Sequence, residues 1–426
     1  MRLVAKCGAA LNGEAGVPGD KSCSHRALIL AALAEGETEI TGLLVSADVL
    51  ATARAIAAFG IDAERLAAGH WRVRGGQWRS PEGPVDCGNS GTAARLLIGA
   101  VAGMGGLVAT FVGDASLSSR PMRRVTAPLE RMGARIEGGD RLPLTVYGAR
   151  LGGIDHRNVP PSAQVKSAIL LAGLSTSAQV RIEEPLPSRD HSEIMLRQFG
   201  VEIDQATLGE QRRLAACSLA IASDPSSAAF PLVAAAVVPG SSINVPDLLV
   251  NPLRTGLFET LEAMGADLSL SNERVQSGEL VADLTLGHAA LKPCHVTAAQ
   301  IPAMIDEIPA LAVACAFADG ESVIEGLAEL KVKESDRLGA VVAGLVACGV
   351  AAIADGDALR IFGRGQVRGG GKIVTHGDHR IAMAFLTLGL GAEQPVEVDQ
   401  AEMIATSFPG FVEVMRALGA NIEERP

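Results

Sequence analysis

Apolar and polar positions along this chain follow one repeating grammar. Six segments open with a polar cluster and run on into an Ala/Leu-rich stretch: GDKSCSHRALILAALA from Gly19, CGNSGTAARLLIGAVAG from Cys87, PSAQVKSAILLAGL from Pro161, SDPSSAAFPLVAAAVV from Ser223, MIDEIPALAVACAFA from Met304 and HGDHRIAMAFLTLGL from His376. The starts recur roughly every 60 to 80 residues, the mark of an internal repeat. Each predicts a helix with polar residues at its N-cap. A second motif alternates with the first, an amphipathic helix that ends at a glycine and leads into a strand. It reads RAIAAFGIDAE at Gly60, PLERMGARIE at Gly133, IMLRQFGVEI at Gly200, LFETLEAMGADL at Gly265, AGLVACGVAAI at Gly349 and VEVMRALGANIE at Gly419. The glycine suits a left-handed C-cap, and runs such as Ala134–Glu137 and Ala266–Leu270 alternate as strands do.

Paired helices with strands between them predict an α/β chain of six similar units. At 426 residues the chain exceeds what one core usually organises, so three units per lobe is the expected division, with the crossover around Ser223–Asp224–Pro225. Capping explains all six polar clusters at the simplest level, and for Ser223–Ser227 it suffices. The other starts carry surplus charge. Lys21, Arg26, Arg120 and Arg380 stand in or near Gly-containing turns, where free backbone N–H groups and cations together suit phosphate and carboxylate.

In VKESDRLGAVVAGLVACG, Leu338, Val341, Val342 and Leu345 keep helical spacing, which places KESDR in the first turns of a helix. Lys333 and Arg337 then share a face and need an anion between them; a solvated Glu334–Arg337 pair is the simpler alternative. Asp306 and Glu307 precede a wholly apolar run. Asp306 there is either an N-cap or a general base at the mouth of a cationic site, and the residues leave both open.

Composition narrows the field. Hydrophobic residues are 48%, charged ones 20% and aromatics 3%, with a net charge of −11. That balance excludes a bulk nucleic-acid binder, so any anionic ligand must be held by local cations. The apolar runs Ala228–Val238 and Ile308–Ala318 are too short to span a bilayer and contain proline. Cys7, Cys23, Cys87, Cys217, Cys294, Cys315 and Cys348 form no CxxC pair, as expected of reduced thiols in a cytoplasmic protein. Cys23 lies near Lys21 and Arg26 but reads as a structural thiol. His376 and His379 lack a third ligand at metal-site spacing, so no metal is expected. The chain also lacks a GxSxG elbow, a Walker loop and a dinucleotide fingerprint.

In order along the chain, GDKSCSHRALILAAL, GNSGTAARLL, GDASLSSRPMRRV, SAQVKSAILLAGL, MIDEIPALAVACAF, VKESDRL and GDHRIAMAF resemble the motifs of the 3-phosphoshikimate 1-carboxyvinyltransferase (5-enolpyruvylshikimate-3-phosphate synthase) family. The resemblance implies two inside-out α/β lobes, each of three βαβαββ units. It puts residues 17–223 in the lobe for shikimate 3-phosphate. Residues 1–16 and 224–426 then form the lobe carrying the catalytic carboxylates and the phosphoenolpyruvate side. The implied reaction moves the enolpyruvyl group of phosphoenolpyruvate to the 5-hydroxyl of shikimate 3-phosphate and releases phosphate. No cofactor is implied, and the partners are these small molecules, with no nucleic acid or membrane and a monomeric chain.

By motif, Lys21, Arg120, Arg337 and Arg380 resemble the phosphoenolpyruvate ligands, with backbone around Gly91. Ser22, Arg26, Ser162, Ala163, Gln164 and Lys333 resemble contacts to shikimate 3-phosphate, with Arg189 reaching its phosphate. Asp306 resembles the base at the 5-hydroxyl and Glu334 the acid at the methylene carbon, beside Lys21 as a third catalytic residue. Many relatives have a lysine where IATSFP places Thr406. Glyphosate occupies the phosphoenolpyruvate site in many members, and Gly91, where some tolerant relatives have alanine, implies sensitivity. The alternative is UDP-N-acetylglucosamine enolpyruvyl transferase, whose catalytic cysteine position falls on Ala115.

Overall fold

In the computed structural model, which describes residues 1–425, all six polar clusters open helices. The helices are α1 (Lys21–Leu33), α2 (Ala47–Ala58), α3 (Gly91–Ala102), α4 (Ala115–Ser119), α5 (Arg123–Arg131), α6 (Ala163–Gly173), α7 (His191–Gln198), α8 (Pro225–Val237), α9 (Gly256–Ala263), α10 (Ile308–Phe317), α11 (Arg337–Ala347), α12 (His379–Gly391) and α13 (Phe411–Ala417). Asp20, Ser90, Ser162, Asp224 and Asp378 cap α1, α3, α6, α8 and α12, each taking a first-turn amide. Helix α10 differs: Glu307 stands at its N-cap without a side-chain cap bond. The N-cap reading of Asp306 is thereby excluded.

The alternating helices α2, α5, α7, α9, α11 and α13 each stop at the anticipated glycine. Gly60, Gly133, Gly200, Gly265, Gly349 and Gly419 have φ values of +88°, +102°, +85°, +94°, +83° and +106°. Side chains with a Cβ are strained there, which is why the same residue type recurs at all six points.

Among the described residues, six four-stranded sheets share one order. A first strand pairs parallel with a second, and an antiparallel pair of strands completes the sheet. Strands 85–86, 108–112, 144–147 and 135–138 show it plainly, as do 295–296, 319–324, 358–364 and 351–355. In two sheets the first strand is exchanged along the chain. Strand 12–14 precedes α1 yet pairs with 242–249, and strand 218–220 precedes α8 yet pairs with 36–41. The amino-terminal strand 2–6 lies between 396–398 and 421–425.

Contacts divide the chain accordingly. One unit comprises residues 19–221 and 275–279; the other comprises 1–18, 222–274 and the chain from 280 on. In the first, α1, α3 and α6 pack against one another; in the second, α8, α10 and α12 do. Every residue of α8 and α10 is buried, as helices that are apolar all round must be. The sheets therefore cover a helical centre. Close helix contact depends on small residues: a Cβ on Gly99 of α3 would lie 2.3 Å from the Ala168 carbonyl oxygen of α6.

Two expectations need correction. Helix α11 begins only at Arg337, with Asp336 as its N-cap accepting from Gly339 N at 3.1 Å. Lys333, Glu334 and Ser335 precede it: the Ser335 hydroxyl is engaged with Asp378, and Asp336 takes the cap. The cluster Ser223–Ser227 does more than turn the chain. Arg254, fully buried, donates through Nη2 to Asp224 at 3.1 Å and to Ser226 at 3.0 Å, and Ser226 bonds Glu307. Burying a guanidinium requires such partners.

Candidate active site

Helix N-termini converge within each unit. In the first, His25 Nε2 on α1 is 3.4 Å from Ser90 Oγ, the cap of α3; Gln164 Nε2 on α6 donates to Thr92 Oγ1 on α3 at 2.9 Å. Arg26 of α1 reaches Ser167 of α6 at 2.9 Å. Three first turns thus bring their free N–H groups and positive dipole ends together, a ready anion site.

Cationic side chains line this convergence. Lys21 Nζ lies 2.5 Å from the buried carboxylate of Asp48. Arg120, at the end of α4, donates to Asn89 Oδ1 at 3.0 Å and Ser116 Oγ at 3.3 Å. Arg95 holds Gln164 Oε1 at 2.5 Å and the Pro121 carbonyl at 3.3 Å. Gly91 leaves room for both arginines: a Cβ there would stand 2.8 Å from Arg95 Nη1 and 3.4 Å from Arg120 Nη1.

Arg26 lies deeper than a surface ligand. It is buried and donates to the Ser22 carbonyl at 3.1 Å, to Ser167, and to Ser192 at 2.7 Å. Burial lowers its pKa, partly offset by Cys23, Glu193 and Asp20, while the nearby Arg189 lowers it further. Ser162 caps α6, and the carbonyl of Ala163 accepts from Ser167 Oγ at 2.5 Å. His25, buried, has its pKa lowered first by burial and then by Lys21 and Arg26. A neutral imidazole beneath these cations avoids adding a further positive charge.

The second unit holds the carboxylates. Asp306 Oδ1 is 3.3 Å from Arg337 Nη1 and 3.4 Å from Lys333 Nζ. Arg380 donates to the Asp306 carbonyl at 2.9 Å, and its Nη2 is 4.0 Å from Oδ2. The anion required between Lys333 and Arg337 is therefore Asp306 itself. Arg337 Nη2 also donates to Glu334 Oε2 at 2.5 Å, so one guanidinium bridges both candidate proton-transfer groups. Burial opposes the charge on Arg337, but Asp378, Glu334 and Asp306 outweigh it and raise its pKa. Ser335 Oγ donates to Asp378 at 3.0 Å, tying the KES segment to the start of α12. Thr406 Oγ1 donates to the Met403 carbonyl at 2.7 Å and stands 3.4 Å from His379 Nδ1.

Several of these residues escape sequence reasoning. Asp48 reads as an ordinary first-turn acid of α2 and Asp378 as a plain cap. Arg95 stands inside the GNSGTAARLL motif, four residues after Gly91, and that spacing is the available signal. Among the described residues, Asp20, Cys23 and His191 place one ligand atom each within 4.8 Å of one another. Asp20 accepts the Cys23 amide at 2.7 Å, and His191 Nδ1 pairs with Glu279 at 2.7 Å.

Comparison with known proteins agrees over the whole length. Residues 5–415 match the sequence profile of the family EPSP synthase (3-phosphoshikimate 1-carboxyvinyltransferase). The chain is 53% identical over 432 residues to the 3-phosphoshikimate 1-carboxyvinyltransferase of Phenylobacterium zucineum, covering 99% of this chain and 95% of that protein. It is 49% identical over 437 residues to the protein of that name from Paracoccus denitrificans, covering 99% and 98%. Among solved structures, EPSP synthase from Acinetobacter baumannii superimposes with a TM-score of 0.88 at 38% identity, covering all of both chains. The enolpyruvyl transferase NikO from Streptomyces tendae, at 20% identity and TM-score 0.78 over 99% of this chain and 98% of its own, shares the fold. Fold, motif order and full-length similarity converge, and the chain belongs to the EPSP synthase (3-phosphoshikimate 1-carboxyvinyltransferase) family.

Proposed function

We propose the roles by which this chain, a 3-phosphoshikimate 1-carboxyvinyltransferase, moves the enolpyruvyl group of phosphoenolpyruvate onto the 5-hydroxyl of shikimate 3-phosphate. Asp306 takes the hydroxyl proton as the oxygen attacks C2, and Glu334 delivers a proton to C3, giving a tetrahedral intermediate. Loss of a proton from C3 and departure of phosphate then regenerate the enol ether. Lys21, Arg120, Arg337 and Arg380, with backbone at Gly91, hold phosphoenolpyruvate and stabilise the leaving phosphate. Ser22, Arg26, Ser162, Ala163, Gln164, Arg189 and Lys333 hold shikimate 3-phosphate.

The observation that carries this reading is the position of Asp306 among Lys333, Arg337 and Arg380, with Glu334 on the same Arg337. Anionic substrates draw on the same cations, so their binding loosens the hold on Asp306 and Glu334 and frees both carboxylates for proton transfer.

All seven cysteines are free thiols, including Cys294 and Cys315 with sulfurs 3.6 Å apart, which suits a reducing cytoplasm. No helix among the described residues is long and apolar enough to cross a membrane.

A phosphate-release assay with phosphoenolpyruvate and shikimate 3-phosphate tests the activity. Release with UDP-N-acetylglucosamine in place of shikimate 3-phosphate, and none with the latter, would overturn the reading.

A further inference from the structure

Lys166 is an unusual residue for its place. It follows Ser162–Gln164 on α6, and its side chain is 2% exposed. The ammonium lies 2.7 Å from Glu184 Oε2, 2.7 Å from Glu193 Oε1 and 3.2 Å from the Ser188 carbonyl. Glu184 extends the cluster in two directions. Toward one loop it accepts from Ser188 N at 3.2 Å and Ser188 Oγ at 2.6 Å. Toward the other it accepts from Asn158 Nδ2 at 2.6 Å, and that amide also donates to the Ser162 carbonyl at 3.1 Å. A parallel link runs through Ser167 and Ser192, whose hydroxyls are 2.6 Å apart and both receive Arg26.

Two loops from different parts of one repeat are therefore tied through Glu184 and the buried ammonium that holds it. One leads into Ser162, Ala163 and Gln164; the other carries Ser188 and Arg189. Burying one cation with two carboxylates is a poor way to gain stability, because desolvation offsets most of the attraction. The cluster leaves a mark of that cost: Glu193 Oε2 has no hydrogen-bond partner among the described residues. What such an arrangement does supply is a fixed distance between the groups it joins.

We propose that Lys166 and Glu184 are positioning residues that set the separation between the Ser162–Gln164 turn and Arg189, and through it the affinity for shikimate 3-phosphate. Neither touches substrate. The inference rests on the assignment of these two segments to that substrate. Displacing a phosphate ligand by a fraction of an ångström weakens binding while leaving the proton-transfer groups of the other unit untouched.

Lys166→Met and Glu184→Gln are to be compared with Arg189→Ala by steady-state kinetics and by calorimetric titration with shikimate 3-phosphate alone. Melting curves serve as the check on folding. The expected result for both clamp variants is a KM and Kd for shikimate 3-phosphate raised about tenfold to a hundredfold. The KM for phosphoenolpyruvate should stay as in the parent, with kcat within about threefold. Weaker binding in Arg189→Ala with parental affinity in both clamp variants would overturn the clamp alone. Parental affinity in Arg189→Ala would instead overturn the underlying assignment. Equal loss toward both substrates, or failure of both clamp variants to fold, would show that the cluster holds the fold rather than the site, and would also overturn the proposal.

Discussion

Arg337 donates through Nε to Asp378 Oδ2 at 2.7 Å, and neither side chain has any exposed surface. This pair fixes the guanidinium that also reaches Asp306 and Glu334. Burial pushes the Asp378 carboxyl up, but the charge and hydrogen bond of Arg337 outweigh it and hold the group below the usual carboxylate range. A folded-state pKa below the unfolded one adds stability above about pH 4, lost as pH falls through the folded value. Asp378→Asn keeps the cap but removes the charge, and should lower stability by about 3 kcal/mol at neutral pH. Urea titrations at pH 7 and in the acid range check this: the deficit should shrink with acid, and a constant deficit would reject the linkage.

Asp306→Asn and Glu334→Gln should each cut kcat by about a hundredfold to ten-thousandfold without loss of the folded state. The two are separable in deuterated water. Reversible protonation at C3 exchanges the methylene hydrogens of phosphoenolpyruvate, so Glu334→Gln should abolish deuterium uptake there. Turnover near the parent value in either variant would reject its assigned role.

Gly91→Ala places a methyl 2.8 Å from Arg95 Nη1 and 3.4 Å from Arg120 Nη1. Arg95 must give way and Arg120 gains a methyl in contact, so the KM for phosphoenolpyruvate should rise and inhibition by glyphosate should weaken. Arg120→Ala should raise the same KM with little change in the KM for shikimate 3-phosphate. The parent enzyme should be glyphosate-sensitive; a dose–response curve flat up to about millimolar inhibitor would contradict that expectation.

Two glycines should differ for separate physical reasons. Gly200 has φ +85°, and a methyl group added there would meet nothing within 4 Å, so Gly200→Ala should cost only the conformational penalty of about 1 kcal/mol. Gly99→Ala drives a methyl into the α6 backbone and should cost about 3 kcal/mol or more. Thermal melts of the two variants test the ranking, and equal losses would refute it.

The repeat is legible along the chain because its punctuation is local. Caps such as Ser90 and Asp378, and the six left-handed glycines, act within one turn of the chain, so their spacing alone predicts the helices. Prediction fails where local rules compete. Apolar spacing extends α11 back into KESDR, yet Ser335 is engaged with the distant Asp378, Asp336 takes the cap and the helix starts after it. Ser223–Ser227 reads as a simple turn because Arg254 and Glu307, which it binds, are distant in sequence.

By itself the sequence determined an α/β chain of six units and, through motif order, its family. It also held the full inventory of cations and carboxylates. Tertiary structure decided which of them meet. Only the fold sets Lys333, Arg337 and Arg380 around Asp306, commits Arg26 to buried serines and joins Lys166 to Glu184 and Glu193. The reason is range: caps and turns are settled by neighbours along the chain, whereas charge pairing falls steeply with distance through space, which spacing along the sequence does not encode.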